Sequence, residues 1–165
     1  MENKMPNMKK EARGVAGDLE NFLYEYLVKK APFQLPMNLK EILVKIAPYV
    51  IIIMLIFAIP LILAALGLSA LLTPFAAFGG AGYGYWSAMA LVTGILALIS
   101  LLLELVAVPG LFKRTYKGWK FAFYAQIVSF VGALIGNGVS GLLGTIIGYI
   151  IGMYILFQVR DLYKN

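Results

Sequence analysis

Apolar positions along this chain fall into two long charge-free blocks, and polar positions gather before, between and after them. No charged residue stands from Ile46 to Leu103, and none from Phe121 to Val159. A bilayer core of about 30 Å takes about 20 apolar residues per helix. The first block, 58 residues long, therefore holds two spans and a loop. "PYVIIIMLIFAIPLILAALGLSALL" predicts a span over roughly 49–72, and "WSAMALVTGILALISLLLELVAV" a second over roughly 86–108. Between them "TPFAAFGGAGYGY" is rich in glycine and aromatic residues and reads as an interfacial loop over 73–85. As one helix the second block of 39 residues would be about 58 Å long, nearly twice the membrane core, so it must fold back. "GNG" at 136–138 is its turn signal. Spans over roughly 119–136 and 140–158 follow, short enough that a re-entrant hairpin is the alternative to a full crossing. The expected fold is all-α: an integral membrane four-helix bundle (47–165) preceded by an amphipathic helical arm (1–46).

The arm has a helical period of its own. In "MKKEARGVAGDLENFLYEYLVKK", Met8, Ala12, Val15, Leu19, Phe22 and Tyr26 are spaced alternately four and three apart, and Leu23 and Leu27 widen the stripe. Pro32 stops this helix, Lys29 and Lys30 suit its negative C-terminal end, and Gly14 and Gly17 each weaken it by about 1 kcal/mol relative to alanine. Glu11, Asp18 and Glu25 recur on the opposite face. A basic polar face would indicate anionic lipid; an acidic one favours docking on protein, whether the chain's own bundle, a second copy or a partner, with rest at the lipid interface as the alternative. A second short helix is expected from "NLKE" at 38–41, where Asn38 caps and Glu41 reaches back. Leu39, Ile42, Leu43 and Ile46 then share a face leading to Pro48.

Composition agrees with a membrane location: 61% of residues are hydrophobic and 13% charged, against about 25% charged in an ordinary soluble domain. The formal charge of +6 suggests nucleic acid only until the bases are placed. Eight of the fourteen lie in residues 1–45, four in "KRTYKGWK" (Lys113, Arg114, Lys117, Lys120) and two in the tail (Arg160, Lys164). No basic array interleaved with aromatics runs along a surface, so no nucleic-acid partner is expected. The loops at 73–85 and 137–139 carry no charge. Four spans put every basic segment on one side, which the positive-inside rule assigns to the cytoplasm. A multi-pass protein of the inner (plasma) membrane with both termini cytoplasmic is expected. The 45 polar-rich residues before the first apolar run argue against a cleavable signal.

Candidate chemistry is sparse. Cysteine and histidine are both absent, which removes disulfides, thiolate and imidazole metal ligands, and the usual nucleophile and acid–base groups. No cofactor, metal site or catalytic residue is expected, and the protein is read as a non-enzyme. "GLLGTIIGYIIG" repeats glycine at Gly144, Gly148 and Gly152, with Gly141 nearly in line. Small residues at this spacing allow close helix approach, within the chain in the first reading. Polar residues align too: Thr93, Ser100 and Glu104 on the second span, Gln126, Ser129 and Asn137 on the third. Interhelical hydrogen bonding is the plain reading of these stripes, and a polar path is the alternative. Pro60 frees the carbonyl of Ile56 and is expected to bend the first span. Glu104 is the lone carboxylate of the predicted spans and lies roughly 6 Å inside its helix end. Its first reading is structural, an ion pair that pins the basic loop of Lys113, Arg114, Lys117 and Lys120. A proton- or cation-handling site and a neutral hydrogen-bonded acid are the alternatives.

The last third of the chain, "KGWKFAFYAQIVSFVGALIGNGVSGLLGTIIGYIIGMYILFQVRDLY", resembles the tail of small prokaryotic polytopic membrane proteins. In these a Gly-Trp pair opens a helical hairpin that closes on an apolar run, an arginine and a tyrosine; Gly118, Trp119, Arg160 and Tyr163 match. The resemblance implies a membrane hairpin and brings no activity. Two function classes follow: a non-catalytic scaffold or accessory component, or a small oligomeric transporter or channel using the polar stripes and Glu104. The expected partners are the lipid bilayer and either a second copy or another membrane or cytoplasmic protein. Four spans require that reporter fusions after residue 78 and after Asn165 report opposite sides of the membrane; the same side for both would refute this threading.

Overall fold

The computed structural model describes residues 14, 17–72 and 76–164, with backbone alone at 69, 70, 72, 76–87 and 139. Among these residues all regular structure is helical. Helix α1 covers 17–29 and ends in a single π turn, Glu25–Lys29. Three long helices follow: α2 at Met37–Leu72, α3 at Ala76–Phe112 and α4 at Tyr116–Gln158, then a 3₁₀ turn at Arg160–Leu162. At Gly138 (φ 58°, ψ −165°) α4 breaks into two antiparallel arms. A positive φ there suits a residue without Cβ. Met8, Glu11, Ala12 and Val15 of the expected arm stripe lie outside the described residues.

Four segments are long and apolar enough to cross a membrane: Met37–Leu68, Ala88–Phe112, Tyr116–Gly138 and Ser140–Leu162. The protein is an all-α, multi-pass membrane bundle. Two boundaries differ from the sequence reading. The "NLKE" segment forms the first turns of α2, which runs on through Pro48 and Pro60. Asn38 therefore lies inside the helix instead of capping one. Residues 76–85, read as a loop, are helical from Ala76 onward, while 73–75 fall outside the described residues. Glycine costs a helix about 1 kcal/mol in water, but away from water a helix satisfies every backbone group internally.

Packing is centred on α3. Its Gly94 faces Leu66 of α2, and its Leu96 and Thr93 meet Gly132 and Gly136 of the first arm of α4. Where α3 hands over to α4, the backbones of Gly110 and Gly118 touch: a Cβ on Gly110 would stand 2.5 Å from the Gly118 Cα. The turn between them is made by Arg114 in the left-handed region (φ 52°) and by Thr115. The Thr115 hydroxyl donates to the Gly110 carbonyl at 3.1 Å and accepts from the Gly118 N–H at 3.2 Å, capping α4.

The core lies at the end of the bundle that carries the bases. There Val28, Val44, Ala107, Leu111, Trp119, Phe123, Phe157, Val159 and Tyr163 form one buried cluster, so α1, α2, α3 and both arms of α4 meet. Away from this end α2 stays against α3, where Leu66 faces Gly94, but parts from the second arm of α4. Only 6% of its most apolar stretch is buried by protein, against 22% in each of the other spans.

The glycine face of the second arm is not the intrachain helix contact that its spacing suggests. A Cβ at Gly144 or Gly148 would meet nothing within 4 Å, and Gly152 is covered by the side chain of Gln126 rather than by a helix backbone. The close glycine contact is Gly110 with Gly118. Gly118→Ala forces two backbones apart and should cost about 1–3 kcal/mol, lowering the melting temperature in detergent by several degrees. Gly148→Ala, facing open space, should lower it not at all; equal losses at the two sites would contradict the packing.

Candidate functional site

Two polar constellations stand out, one holding the bundle's base together and one lining its open side. The first begins with the spacing of aromatic residues along α4. Tyr116, Trp119 and Phe123 follow at intervals of three and four and stack, with ring centroids 5.8 and 5.6 Å apart. Phe157 of the returning arm sets its ring edge-on to Trp119 and Phe123. The Trp119 indole N–H donates to the Leu156 carbonyl at 2.9 Å. Beyond this stack the Arg160 guanidinium lies 5.5 Å from the ring centroids of Tyr116 and Trp119 and 4.5 Å from that of Tyr24.

Glu20 of α1 completes the group. It is 3% exposed, with Arg160 Nη2 at 2.6 Å, Lys120 Nζ at 3.6 Å and the Tyr116 hydroxyl donating to it. One helical turn on, the Tyr24 hydroxyl donates to the Asp161 carboxylate at 3.1 Å. Burial and then that carboxylate push the Tyr24 phenol above its ordinary range, so it stays protonated as a donor. Gln158 donates to the Leu27 carbonyl at 3.0 Å, and the Tyr154 hydroxyl donates to the Phe33 carbonyl. These bonds dock the arm on its own bundle.

The docked face overlaps the expected one at Leu23 and Leu27 and departs from it elsewhere. Glu20, Leu23, Tyr24, Leu27 and Val28 turn toward the bundle, whereas Leu19, Phe22 and Tyr26 are exposed. The helix is rotated by about one residue, or about 100°, from the stripe of apolar side chains, because a carboxylate with three partners outweighs the hydrophobic count. Sequence reading missed Glu20. Its signal is the 20–23–24–27–28 spacing, visible only when an acid is admitted to a buried face. Gly118, Trp119, Arg160 and Tyr163 all lie at this end of the bundle. Trp119 and Tyr163 are buried in the cluster itself.

The second constellation lies where α2 departs from α4. A cavity of about 1230 Å³ runs between Val50 and Met54 of α2, Glu104 of α3 and both arms of α4. Gln126, Ser129, Asn137, Thr145 and Tyr149 supply its other polar groups, and Gly144, Gly148 and Gly152 line its α4 wall. Toward the basic end it adjoins a cavity of about 390 Å³, sharing Val50, Gln126, Gly152 and Ile155. Toward the opposite end it adjoins one of about 420 Å³ that reaches Thr93, sharing Ser129, Ala133, Asn137 and Tyr149. Together they form a crevice along the bundle.

The predicted polar residues separate into two kinds. Ser100 is buried and donates to the Ala125 carbonyl across α3 and α4 at 2.9 Å, as hydrogen-bonding glue. Thr93 bonds its own helix at the Met89 carbonyl, 2.9 Å away. Ser129 bonds Tyr149, and Asn137 donates to Thr145, each at 2.8 Å on the crevice wall. Glu104 and Gln126 face the same cavity with no hydrogen-bond or ion-pair partner among the described residues.

The expected ion pair between Glu104 and the basic loop does not form. Lys113, Arg114 and Lys117 are exposed at the α3–α4 turn, and Lys120 turns to Glu20 instead. A buried acid from α1 already sits beside Lys120 and Arg160, while Glu104 faces the cavity between α2 and α4.

No protein-family model, curated protein or solved structure matches the chain, so its chemistry is read from these two constellations alone.

Removing one partner of a buried ion pair costs about 3–5 kcal/mol because the other charge is stranded. Glu20→Leu or Arg160→Leu alone should therefore destabilise the fold strongly. The double variant should lose much less than the sum. Additive losses in detergent unfolding would show that the two residues are not coupled.

Proposed function

We propose that this protein is a small, non-catalytic membrane transport protein whose crevice admits a solute between α2 and α4. The observation that carries this reading is the convergence of Glu104, Gln126, Ser129, Asn137, Thr145 and Tyr149 on adjoining cavities that follow the bundle. Ionisable groups within membrane spans are costly and characteristically mark solute or ion paths. Two features that favoured a scaffold are used otherwise. The arm is bound to its own bundle through Glu20, and the glycine face lines the cavity. The absence of cysteine and histidine leaves few groups for chemistry on a substrate, which supports transport or binding over catalysis. The positive-inside rule places the basic end, with both termini, in the cytoplasm of a plasma-membrane protein. The cavity beside Leu43 and Tyr163 would then be the cytoplasmic entrance.

A second reading, a scaffold or accessory component, draws on the same open side. Gly144 and Gly148 meet nothing within 4 Å, so a helix of a second copy or of a partner could close the crevice there.

The chain has no cysteine, so single cysteines can be read without background. Ala133→Cys and Gly148→Cys should react with a charged, membrane-impermeant thiol reagent in proteoliposomes. Phe57→Cys, on an exposed face of α2 that lies in lipid, should not. A crevice as unreactive as Phe57→Cys would remove the transport reading.

A further inference from the structure

We infer that the cavity beside Glu104 is a binding site for a lipophilic organic cation, an inference that rests on the crevice being open to solutes. The argument starts from the carboxylate. Glu104 is half-buried in the wall of a cavity of about 1230 Å³ and has no partner among the described residues. A carboxylate taken out of water must be neutralised or paired. Among the described residues no base pairs with it: the apolar blocks contain none, and Lys120 and Arg160 are held by Glu20. Protonation neutralises the acid while the cavity is empty, and a cationic ligand would supply the countercharge when it is filled.

The rest of the wall decides what kind of cation fits. A hard divalent ion takes six or more oxygen ligands, usually with several carboxylates or waters, whereas this cavity offers one carboxylate. Val50, Met54 and Ile155 instead present apolar surface, and Tyr149 adds an aromatic ring. Rings and thioethers suit a cation whose charge is spread over an apolar body. The absence of side chains at Gly144 and Gly148 leaves the width such a body needs. The Gln126 amide, also unpartnered among the described residues, supplies one polar contact for orientation. A mostly apolar pocket with a few placed polar groups is the usual form of a small-molecule site. The bilayer itself concentrates lipophilic cations, so the open side of the crevice serves as an entrance.

The test uses the full-length protein in mild detergent with tetraphenylphosphonium as probe, measured by equilibrium dialysis or calorimetry. Saturable binding is expected. Glu104→Gln should weaken it by roughly tenfold or more, as loss of a charge-assisted contact implies, while Glu104→Asp retains part of it. Gly148→Leu, which fills the cavity, should abolish binding without lowering the melting temperature. Tetraphenylsilane, a neutral body of the same shape, should not compete. Equal binding to the native protein and Glu104→Gln, or effective competition by the neutral body, would overturn the proposal. Absence of binding to native protein in which Gly148→Cys is labelled would also overturn it while leaving an open crevice standing. If Gly148→Cys is unlabelled as well, the crevice is closed to solutes and both readings fall.

Discussion

A single buried carboxylate governs how the chain closes on itself. Glu20 gives up water to lie between the Arg160 guanidinium, the Lys120 ammonium and the Tyr116 hydroxyl. Taking an acid out of water costs several kcal/mol unless its lone pairs are filled, so these contacts must form together or not at all. One partner comes from the last turn of the chain and two from the start of α4. The arm thus docks on a surface to which both ends of the hairpin contribute, and it completes the hairpin's base. Aromatic stacking beneath Arg160 fixes the guanidinium in place, since Tyr24, Tyr116 and Trp119 flank it. Specificity is the larger benefit. Apolar side chains alone would let α1 settle on several faces, and an acid with three partners selects one.

Closing the base has a consequence for the rest of the bundle. All the helices converge on the Trp119 cluster, and α3 continues to hold the first arm of α4 through Gly132 and Gly136. Nothing comparable ties α2 to the second arm above the base, and α2 keeps to α3 there, with Leu66 against Gly94. In water such a split would collapse to hide apolar surface. In a bilayer lipid tails are as apolar as leucine, so no hydrophobic force closes it. The crevice is thus a natural product of a bundle in which α2 and the second arm of α4 meet chiefly at the base. Its polar lining is not, because each hydroxyl, amide and carboxylate there was available to be a leucine.

Glycine has opposite uses at the two ends. At Gly110 and Gly118 the missing side chains let backbones touch, and the α3–α4 corner depends on it. At Gly144 and Gly148 the missing side chains hold a cavity open. The regular four-residue spacing occurs at the second place and not at the first. Spacing along one helix says which residues share a face, and it carries no information about what that face meets.

Much of the architecture was legible from residue order alone. The two charge-free blocks, the length a bilayer requires and the turn signal at 136–138 determined four spans and a hairpin bend, because these depend on properties summed along one segment. The bend itself falls at Gly138. The clustering of bases determined that the N-terminal region, the 109–120 loop and the tail belong to one end. The partners of individual polar groups were decided only in three dimensions. Leu19, Phe22 and Tyr26 look like the buried stripe until Arg160, 140 residues downstream of Glu20, turns a different face inward. Glu104 is expected to pair with Lys113 or Lys120 until Glu20 takes Lys120 and the packing of α3 sets Glu104 in the cavity wall. An ion pair is a relation between two segments, and its energy depends on burial that neither segment possesses until both have packed.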